Sequence, residues 1–236
     1  MVSICIATYN GEKFITDQLL SILPQLHSGD EIIISDDGST DGTIALIQAL
    51  LDPRIKISGN SCSPGPVGNF ESAMRRASGD ILFFCDQDDI WFPNKIERHL
   101  KYHEKYDLVV SDASVVDEDK NVLFSSFFKQ RGSKKGLIQN LKRNSYIGCC
   151  MSFNKKISKA STPFPRDIHM HDWWIGLVSE MKGTVYFLNE PLMYYVRHSN
   201  NASGTLIKTL PLIEQIRNRI ILCKHLVFLK FIKNEH

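Results

Sequence analysis

The stretch Ile81-Leu82-Phe83-Phe84-Cys85-Asp86-Gln87-Asp88-Asp89 decides the fold. Its first five residues are apolar and favour β structure, so they predict a buried parallel strand. Three carboxylates follow where this strand ends. Because ligands of open α/β sheets bind beyond the carboxyl ends of the strands, we expect this stretch to bind a divalent cation and a phosphate-bearing ligand.

Strands and helices alternate through the first half of the chain. Residues 2–8 predict a strand, the apolar positions of residues 15–23 predict one face of a helix, and residues 31–35 predict a second strand. We expect Asn10 to cap the helix between them. A strand, a helix and a strand at this spacing predict parallel pairing through a right-handed crossover.

The second half has less regular patterns. Residues 115–124 predict a hairpin, residues 124–133 a loop and the alternating residues 147–153 a strand, while apolar residues within 174–181 share a helical face. Alternating elements followed by mixed ones favour a single α/β domain with a mostly parallel central sheet, whose second half covers the crevice.

Composition narrows the class of protein. A chain of 236 residues with a net charge of +2 and 23% charged residues is typical of a globular protein with a substantial core. Its six cysteines lack Cys-x-x-Cys spacing, which indicates reduced thiols, and no secretory signal pattern is present. We therefore expect a cytoplasmic protein. The main body has no basic stripe with interleaved aromatic residues, so we expect no nucleic-acid partner.

The last 32 residues differ from the rest in charge. Residues 205–236 contain six Lys or Arg and two Glu, whereas residues 1–204 are net acidic. Apolar positions with spaced cations are typical of a helix that lies on an anionic membrane. They are equally typical of a helix that docks on the domain or on a second subunit of a homodimer. The sequence alone leaves these alternatives open.

Candidate functional residues also have structural interpretations. Asp36 and Asp37 begin an Asp-Gly turn, yet a carboxylate at a strand end can bind a nucleobase or ribose. Asp172 fits an N-cap or a general base, and His198 fits a surface histidine or a third metal ligand. At residues 86–89 the closely spaced like charges favour Mg²⁺ or Mn²⁺, which prefer carboxylate oxygens.

Several motifs, taken in order, resemble the inverting family 2 glycosyltransferases, which have the GT-A or nucleotide-diphospho-sugar transferase fold. They lie at residues 3–11, 34–42, 77–80, 86–89, 171–174 and 197–198. The resemblance covers residues 1–204. It implies a nucleotide-sugar-binding half, residues 1–112, and an acceptor-binding half, residues 113–204, followed by a basic helical tail, residues 205–236.

The resemblance also implies roles for single residues. The implied sets are Thr8, Tyr9, Asn10, Asp36, Asp37, Asp86 and Arg197 for the nucleotide-sugar donor, Asp86, Asp88 and His198 for Mn²⁺ or Mg²⁺, Asp172 as catalytic base, and His171, Trp173 and Trp174 for the acceptor. Many relatives have glutamate where this chain has His171, so a role that depends on that glutamate does not carry over.

The activity implied is transfer of a sugar from a nucleoside-diphosphate donor to a hydroxyl of a glycan or lipid-linked glycan. The motifs at residues 86–91, 171–174 and 197–204 are similar to a bacterial branch that includes rhamnosyltransferases of cell-surface polysaccharide synthesis, so dTDP-rhamnose is the first expected donor. UDP-galactose, UDP-glucose and N-acetylhexosamine donors are alternatives. A non-catalytic nucleotide-sugar-binding partner of another transferase is a further alternative. A sugar-nucleotide pyrophosphorylase fits poorly, because residues 8–12 are not a Gly-rich basic loop.

Overall fold

The computed structural model describes residues 1–198 and 210–231, which form a mixed α/β structure. The predicted boundary at residue 204 and the polar segment 199–204 lie outside the described residues. The strands are β1 (Val2–Thr8), β2 (Glu31–Asp36), β3 (Ile55–Gly59), β4 (Ile81–Asp86), β5 (Ile90–Trp91), β6 (Leu108–Val116), β7 (Val122–Phe124), β8 (Met151–Asn154) and β9 (Val185–Val196). The helices are α1 (Ile15–Ile22), α2 (Thr43–Ala49), α3 (Pro66–Arg76), α4 (Lys95–His103), α5 (Phe127–Arg131), α6 (Leu137–Lys142), α7 (Lys155–Ser161), α8 (His171–Lys182) and α9 (Leu212–Phe231).

All strands in the described residues belong to one sheet, in the order β3-β2-β1-β4-β8-β6-β9-β5, with β7 paired to β6. The first four strands in that order are parallel, as are β6 and β9, whereas β8 is antiparallel to both of its neighbours. The predicted mostly parallel sheet and the β6–β7 hairpin are therefore confirmed. The predicted division at residue 112 falls inside β6, and one hydrophobic core extends from β1 to α9.

The sheet register brings the predicted acidic sites to one edge. Strand β1 lies between β2 and β4. Thr8 at the end of β1 pairs with Asp36 at the end of β2, and Ala7 of β1 pairs with Asp86 at the end of β4. These strands are almost entirely buried, which explains their continuous apolar sequence. The parallel arrangement thus places residues far apart in sequence at one crevice.

Two local predictions were wrong, and a third was right only in part. Asn10 does not cap α1: the helix begins at Ile15 with Phe14 at its N-cap, and Asn10 has φ 48°, the left-handed conformation of a turn residue. The alternating segment 147–153 begins with a 3₁₀ turn, Gly148–Cys150, and only then continues as β8. The segment 124–133, predicted as a loop, contains α5.

The unpredicted helix α5 is anchored by a buried side chain from β6. Asp112 accepts hydrogen bonds from the Ser126 hydroxyl at 2.5 Å and from the Phe128 backbone N–H at 2.9 Å. Ser126 also caps α5 by accepting from the Lys129 N–H. Contacts between distant residues therefore create a helix in a segment with no clear periodicity of its own.

The C-terminal helix α9 docks on the domain through one face. Leu222 and Leu226 are buried, the Arg219 guanidinium donates to the carbonyls of Leu141 and Lys142, and His225 contacts Asp167 at 2.6 Å. Docking of this helix on the domain was one of the two alternatives left open by the sequence. Within the described residues, no helix is long and apolar enough to cross a membrane.

Candidate active site

Hydrogen bonds join the loops that follow β1 and β2. Asp36 accepts hydrogen bonds from the hydroxyls of Thr8 and Ser39 and from the backbone N–H groups of Gly38 and Ser39, at 2.6–3.0 Å. The Asn10 side-chain oxygen accepts from the Thr40 backbone N–H, and the Asn10 backbone N–H donates to the Ser39 hydroxyl. The Asp36 carboxylate thus shapes the loop, and its predicted contact with a base or ribose stays a prediction.

Asp37 fastens the adjoining loop after β3. Its carboxylate accepts from the Asn60 side chain at 2.8 Å and from the Gly65 N–H at 2.7 Å. Gly65 has φ 91°, a conformation that favours glycine, and it directly precedes α3. Asp36 and Asp37 together therefore define the wall of the crevice at the ends of β2 and β3.

Gln87, in the middle of the acidic stretch, joins that stretch to β1. Its side-chain amide accepts from the Tyr9 N–H at 2.9 Å and donates to the Tyr9 carbonyl at 3.1 Å. A Cβ atom on Gly11 would lie 2.3 Å from the Gln87 Oε1, so this approach needs glycine at position 11. The Tyr9 side chain remains 57% exposed at the crevice. Sequence reasoning missed Gln87, although its place between two carboxylates was the available signal.

Asp88 and His198 are brought together across 110 residues. The His198 Nε2 lies 2.7 Å from the Asp88 Oδ2, and both side chains are about nine-tenths buried or more. Phe14, before α1, stacks on the imidazole with a centroid distance of 4.5 Å. Two of the three predicted metal ligands are therefore in contact, and an aromatic ring that sequence reasoning missed orients one of them.

Asp86 occupies an electrostatically costly position. Burial raises the pKa of its carboxyl to about 7, and the negative charges of Asp88 and Asp172 add to this rise. The positive charge of Lys95 lowers the Asp86 pKa and so limits this rise. Lys95 is fully buried, donates to the Cys149 carbonyl at 2.6 Å and lies over the Trp91 ring. Sequence reasoning missed this buried cation behind the acidic stretch.

Asp89 is the most deeply buried carboxylate of the stretch. One of its oxygens accepts from the Val196 N–H at the end of β9, at 3.3 Å, and the other has no hydrogen-bond partner among the described residues. Val196 stands two residues before His198. Asp89 therefore links the acidic stretch to the segment that carries the histidine.

The ligand types of the three predicted metal-binding residues suit a divalent hard cation. Asp86, Asp88 and His198 offer carboxylate oxygens and an imidazole, and a cation there would offset the like charges that raise the Asp86 pKa. Among the described residues, the group whose ligand atoms lie within 4.8 Å of one another is Asp86, Asp89 and Cys149, which contains one of the three predicted metal ligands. It suits Mg²⁺ or Mn²⁺ less well, because burial raises the pKa of the Cys149 thiol well above its usual range and sulfur is a soft ligand.

Asp172, in the first turn of α8, has the properties of a base near neutral pH. Burial raises the pKa of its carboxyl to about 6, while the backbone N–H groups of Trp173 and Gly148 and the charge of Arg131 limit the rise. His171, the residue before Asp172, packs against Phe84 of β4 with a centroid distance of 5.4 Å, so Asp172 lies near the strand that ends at Asp86, and its negative charge adds to the rise of the Asp86 pKa. Arg131 comes from α5, in the segment predicted as a loop, and sequence reasoning missed it.

The three residues predicted to bind the acceptor are buried. Trp173 and Trp174 donate their indole N–H groups to the carbonyls of Asn140 and Ser161, at 2.8 and 2.9 Å, and both pack in the core. His171 packs on the ring of Phe70 with a centroid distance of 4.2 Å, and burial lowers its pKa to about 3. This placement gives no support to sugar stacking on either tryptophan.

Arg197 lies next to His198 and is held by an aromatic side chain. Its guanidinium donates to the Tyr195 hydroxyl at 3.0 Å and lies 5.3 Å from the centroid of the Tyr195 ring. The predicted role of Arg197 toward a diphosphate stays a prediction.

A mostly parallel sheet whose strands end in acidic loops, opposite a carboxylate at a helix N-terminus, defines the class of GT-A-type folds. The glycosyl transferase family 2 model matches residues 3–161. The chain therefore belongs to glycosyl transferase family 2.

Curated relatives agree with this assignment, and a solved structure agrees with the fold. The chain is 28% identical over 179 residues to the Escherichia coli UDP-Glc:alpha-D-GlcNAc-diphosphoundecaprenol beta-1,3-glucosyltransferase WfgD, covering 75% of this chain and 68% of that protein. It is 29% identical over 226 residues to the Shigella flexneri dTDP-rhamnosyl transferase RfbG, covering 85% and 74%. The structure of S. aureus TarS 1-349 in complex with UDP-GlcNAc matches the fold with a TM-score of 0.72 at 19% identity, covering 94% of this chain and 66% of that chain.

Proposed function

We propose that this protein is a metal-dependent inverting glycosyltransferase of bacterial cell-surface polysaccharide synthesis. It moves a sugar from a nucleoside-diphosphate donor to a hydroxyl of a glycan or lipid-linked glycan. In this proposal residues 1–112 bind the donor and residues 113–204 bind the acceptor. The observation that carries it is the approach of Asp172, from a different part of the chain, to the acidic stretch after β4: His171, next to Asp172, packs on Phe84 of β4 with a centroid distance of 5.4 Å, and the charge of Asp172 adds to the rise of the Asp86 pKa.

In the proposed reaction Asp172 removes the proton from the acceptor hydroxyl as that oxygen attacks the anomeric carbon. A carboxyl pKa of about 6 leaves the group mostly ionised at neutral pH, yet basic enough to accept a proton. Arg197 contacts the diphosphate leaving group. A divalent ion held by Asp88, Asp86 and His198 would supply further neutralisation of the negative charge that develops on the diphosphate.

The proposal also names the donor sugar. Similarity to RfbG supports dTDP-rhamnose as the first donor, and similarity to WfgD supports UDP-glucose as the alternative. The name of WfgD also specifies a diphosphoundecaprenol-linked acceptor. By analogy we propose a lipid-linked acceptor here, which would bring the protein to the inner face of the plasma membrane.

A transfer assay tests the proposal. Purified protein with Mn²⁺ is incubated with dTDP-rhamnose or UDP-glucose and with GlcNAc-diphosphoundecaprenol, and the lipid product is identified by mass spectrometry. We expect one donor to add a single sugar, and the Asp172→Asn variant to form product at least about a hundredfold more slowly. Nucleotide binding without transfer from any donor would instead support a non-catalytic partner of another transferase.

A further inference from the structure

The helix α9 has a second apolar face, distinct from the face that docks on the domain. Leu222 and Leu226 are buried, whereas residues on the other side of the helix are open to solvent. Ile213 is 81% exposed, Ile220 63% and Val227 56%. We define the outer stripe of α9 as Leu212, Ile213, Ile216, Ile220 and Val227, which helical spacing places on one side.

Positive charges border the outer stripe. Arg217 and Lys224 lie along one side of it by helical position, Lys230 lies along the other, and all three are exposed. The single acid of the helix, Glu214, falls away from the stripe by the same geometry. An apolar strip with cations on both sides matches the interface of an anionic bilayer, where apolar side chains enter the acyl boundary and cations reach the headgroups.

Neighbouring residues extend this basic surface. A cleft of about 1580 Å³ separates α9 from the domain, with His225, Phe228 and Leu229 on the α9 side. Its other walls carry Lys159 and Arg166, which are both exposed. Basic residues therefore outnumber the one acid, Glu71, in the lining of this cleft, as they outnumber acids along the flanks of the outer stripe.

A second copy of the chain is a poorer occupant of the stripe. A two-fold pairing would place the same patch on both sides of the interface. It would bring Arg217, Lys224 and Lys230 of each copy toward those of the other, and like charges across an interface are unfavourable. We propose that the outer stripe of α9 binds an anionic lipid bilayer while the inner face stays docked on the domain.

This inference deepens the proposed function, since a lipid-linked acceptor requires contact with a bilayer. It explains why a helix that is already docked retains large exposed apolar side chains. Binding to vesicles is measured without donor or acceptor, so it tests the inference independently of transfer. A failure of membrane binding can therefore be distinguished from a failure of the proposed transferase activity.

The test is flotation of the full chain with two kinds of vesicle, phosphatidylcholine alone and phosphatidylcholine mixed with phosphatidylglycerol. We expect binding to the mixed vesicles that weakens as salt is raised. The triple variant Ile216→Ser, Ile220→Ser, Val227→Ser should lower the partition coefficient at least about tenfold, because three side chains lose their burial in the bilayer. Replacing Arg217, Lys224 and Lys230 by Gln should lower binding to the anionic vesicles alone.

The matched control is the triple variant Leu20→Ser, Leu51→Ser, Val122→Ser, which removes exposed apolar side chains outside α9 and should bind as the wild type does. Circular dichroism establishes that each variant is folded. Absence of binding by the wild type, or equal binding by the α9 variant, would overturn the inference. Sedimentation that shows a dimer lost in the α9 variant, without vesicle binding, would assign the stripe to a second copy and also overturn it.

Discussion

Asp172 is the residue on which the proposed chemistry depends. Replacing it by Asn keeps its shape and its place in the first turn of α8 but removes the base. We expect transfer to fall by roughly two orders of magnitude or more, the usual scale for a general base, while nucleotide affinity is unchanged. Initial rates and calorimetric titration of the nucleotide measure the two effects. Unchanged transfer would remove Asp172 from this role.

The pKa of Asp172 also predicts a pH dependence. Because the carboxyl is protonated below about pH 6, kcat/KM should fall as the pH is lowered through that value. The residual activity of Asp172→Asn should not show this fall at low pH. If kcat/KM of both proteins falls in the same way, a group other than Asp172 causes the fall.

The Asp86 carboxyl, a proposed metal ligand, also predicts how the free energy of unfolding changes with pH. In the metal-free folded protein its carboxyl keeps a proton up to about pH 7, whereas in the unfolded chain it loses the proton near pH 4. The folded state therefore binds more protons in this window, and the contribution of Asp86 to the free energy of unfolding falls as the pH rises. The buried His171 contributes with the opposite sign, so the informative quantity is a difference between variants.

We expect Asp86→Asn to be more stable than wild type above pH 7 in EDTA, by roughly 1–2 kcal/mol. The difference should shrink toward pH 4, where both side chains are neutral. Chemical denaturation at several pH values measures it, and Mn²⁺ should stabilise the wild type more than the variant. A variant that is less stable than wild type at every pH would contradict this account of the buried carboxyl.

At the scale of elements, long-range contacts made some features unpredictable. The strands β1, β2 and β4 could be predicted because a buried parallel strand has a continuous apolar sequence. The helix α5 could not, because the buried Asp112 of β6 and the cap at Ser126 determine it. The approach of Phe14 to His198 joins the start of α1 to the end of β9, and no local pattern encodes such a contact.

The same reasoning applies to the candidate site. The carboxylates Asp86, Asp88 and Asp172 could be proposed from the order of the motifs. Lys95 and Arg131 could not, because an isolated basic residue in a sequence does not show that it will be buried behind or beside an acid. The acceptor roles of His171, Trp173 and Trp174 come from their motif alone; all three side chains are buried, and these roles stay a prediction.

Gln87 provides a prediction about how two elements are held together. Replacing it by Ala removes both hydrogen bonds to the Tyr9 backbone, so the acidic stretch loses its direct link to the end of β1. We expect the free energy of unfolding to fall by roughly 1–2 kcal/mol and nucleotide affinity to fall as well. Thermal unfolding and titration measure these effects. Gln48→Ala, an exposed change on α2, is the matched control, and equal behaviour of the two variants would contradict the bridging role.

At the scale of the whole molecule, charge is distributed to match two different ligands. The acidic crevice at the carboxyl edge of the sheet suits a cation and a nucleotide, whereas the basic flanks of α9 suit an anionic surface. The net charge of +2 conceals this separation. A protein arranged in this way can bind a soluble donor at one place and stay close to a lipid-linked acceptor through another.

The central claim is that the crevice formed by Asp86, Asp88 and His198 is a metal-dependent nucleotide site. Its most direct test is calorimetric titration with dTDP, UDP and GDP, each with Mn²⁺ and then with excess EDTA. The Asp88→Asn variant is compared with Asp119→Asn, an exposed change on the β6–β7 hairpin. We predict that at least one nucleotide binds the wild type and Asp119→Asn in Mn²⁺, and that EDTA or Asp88→Asn weakens this binding at least about tenfold. Absence of binding by all three nucleotides, or binding unaffected by both EDTA and Asp88→Asn, would contradict the claim.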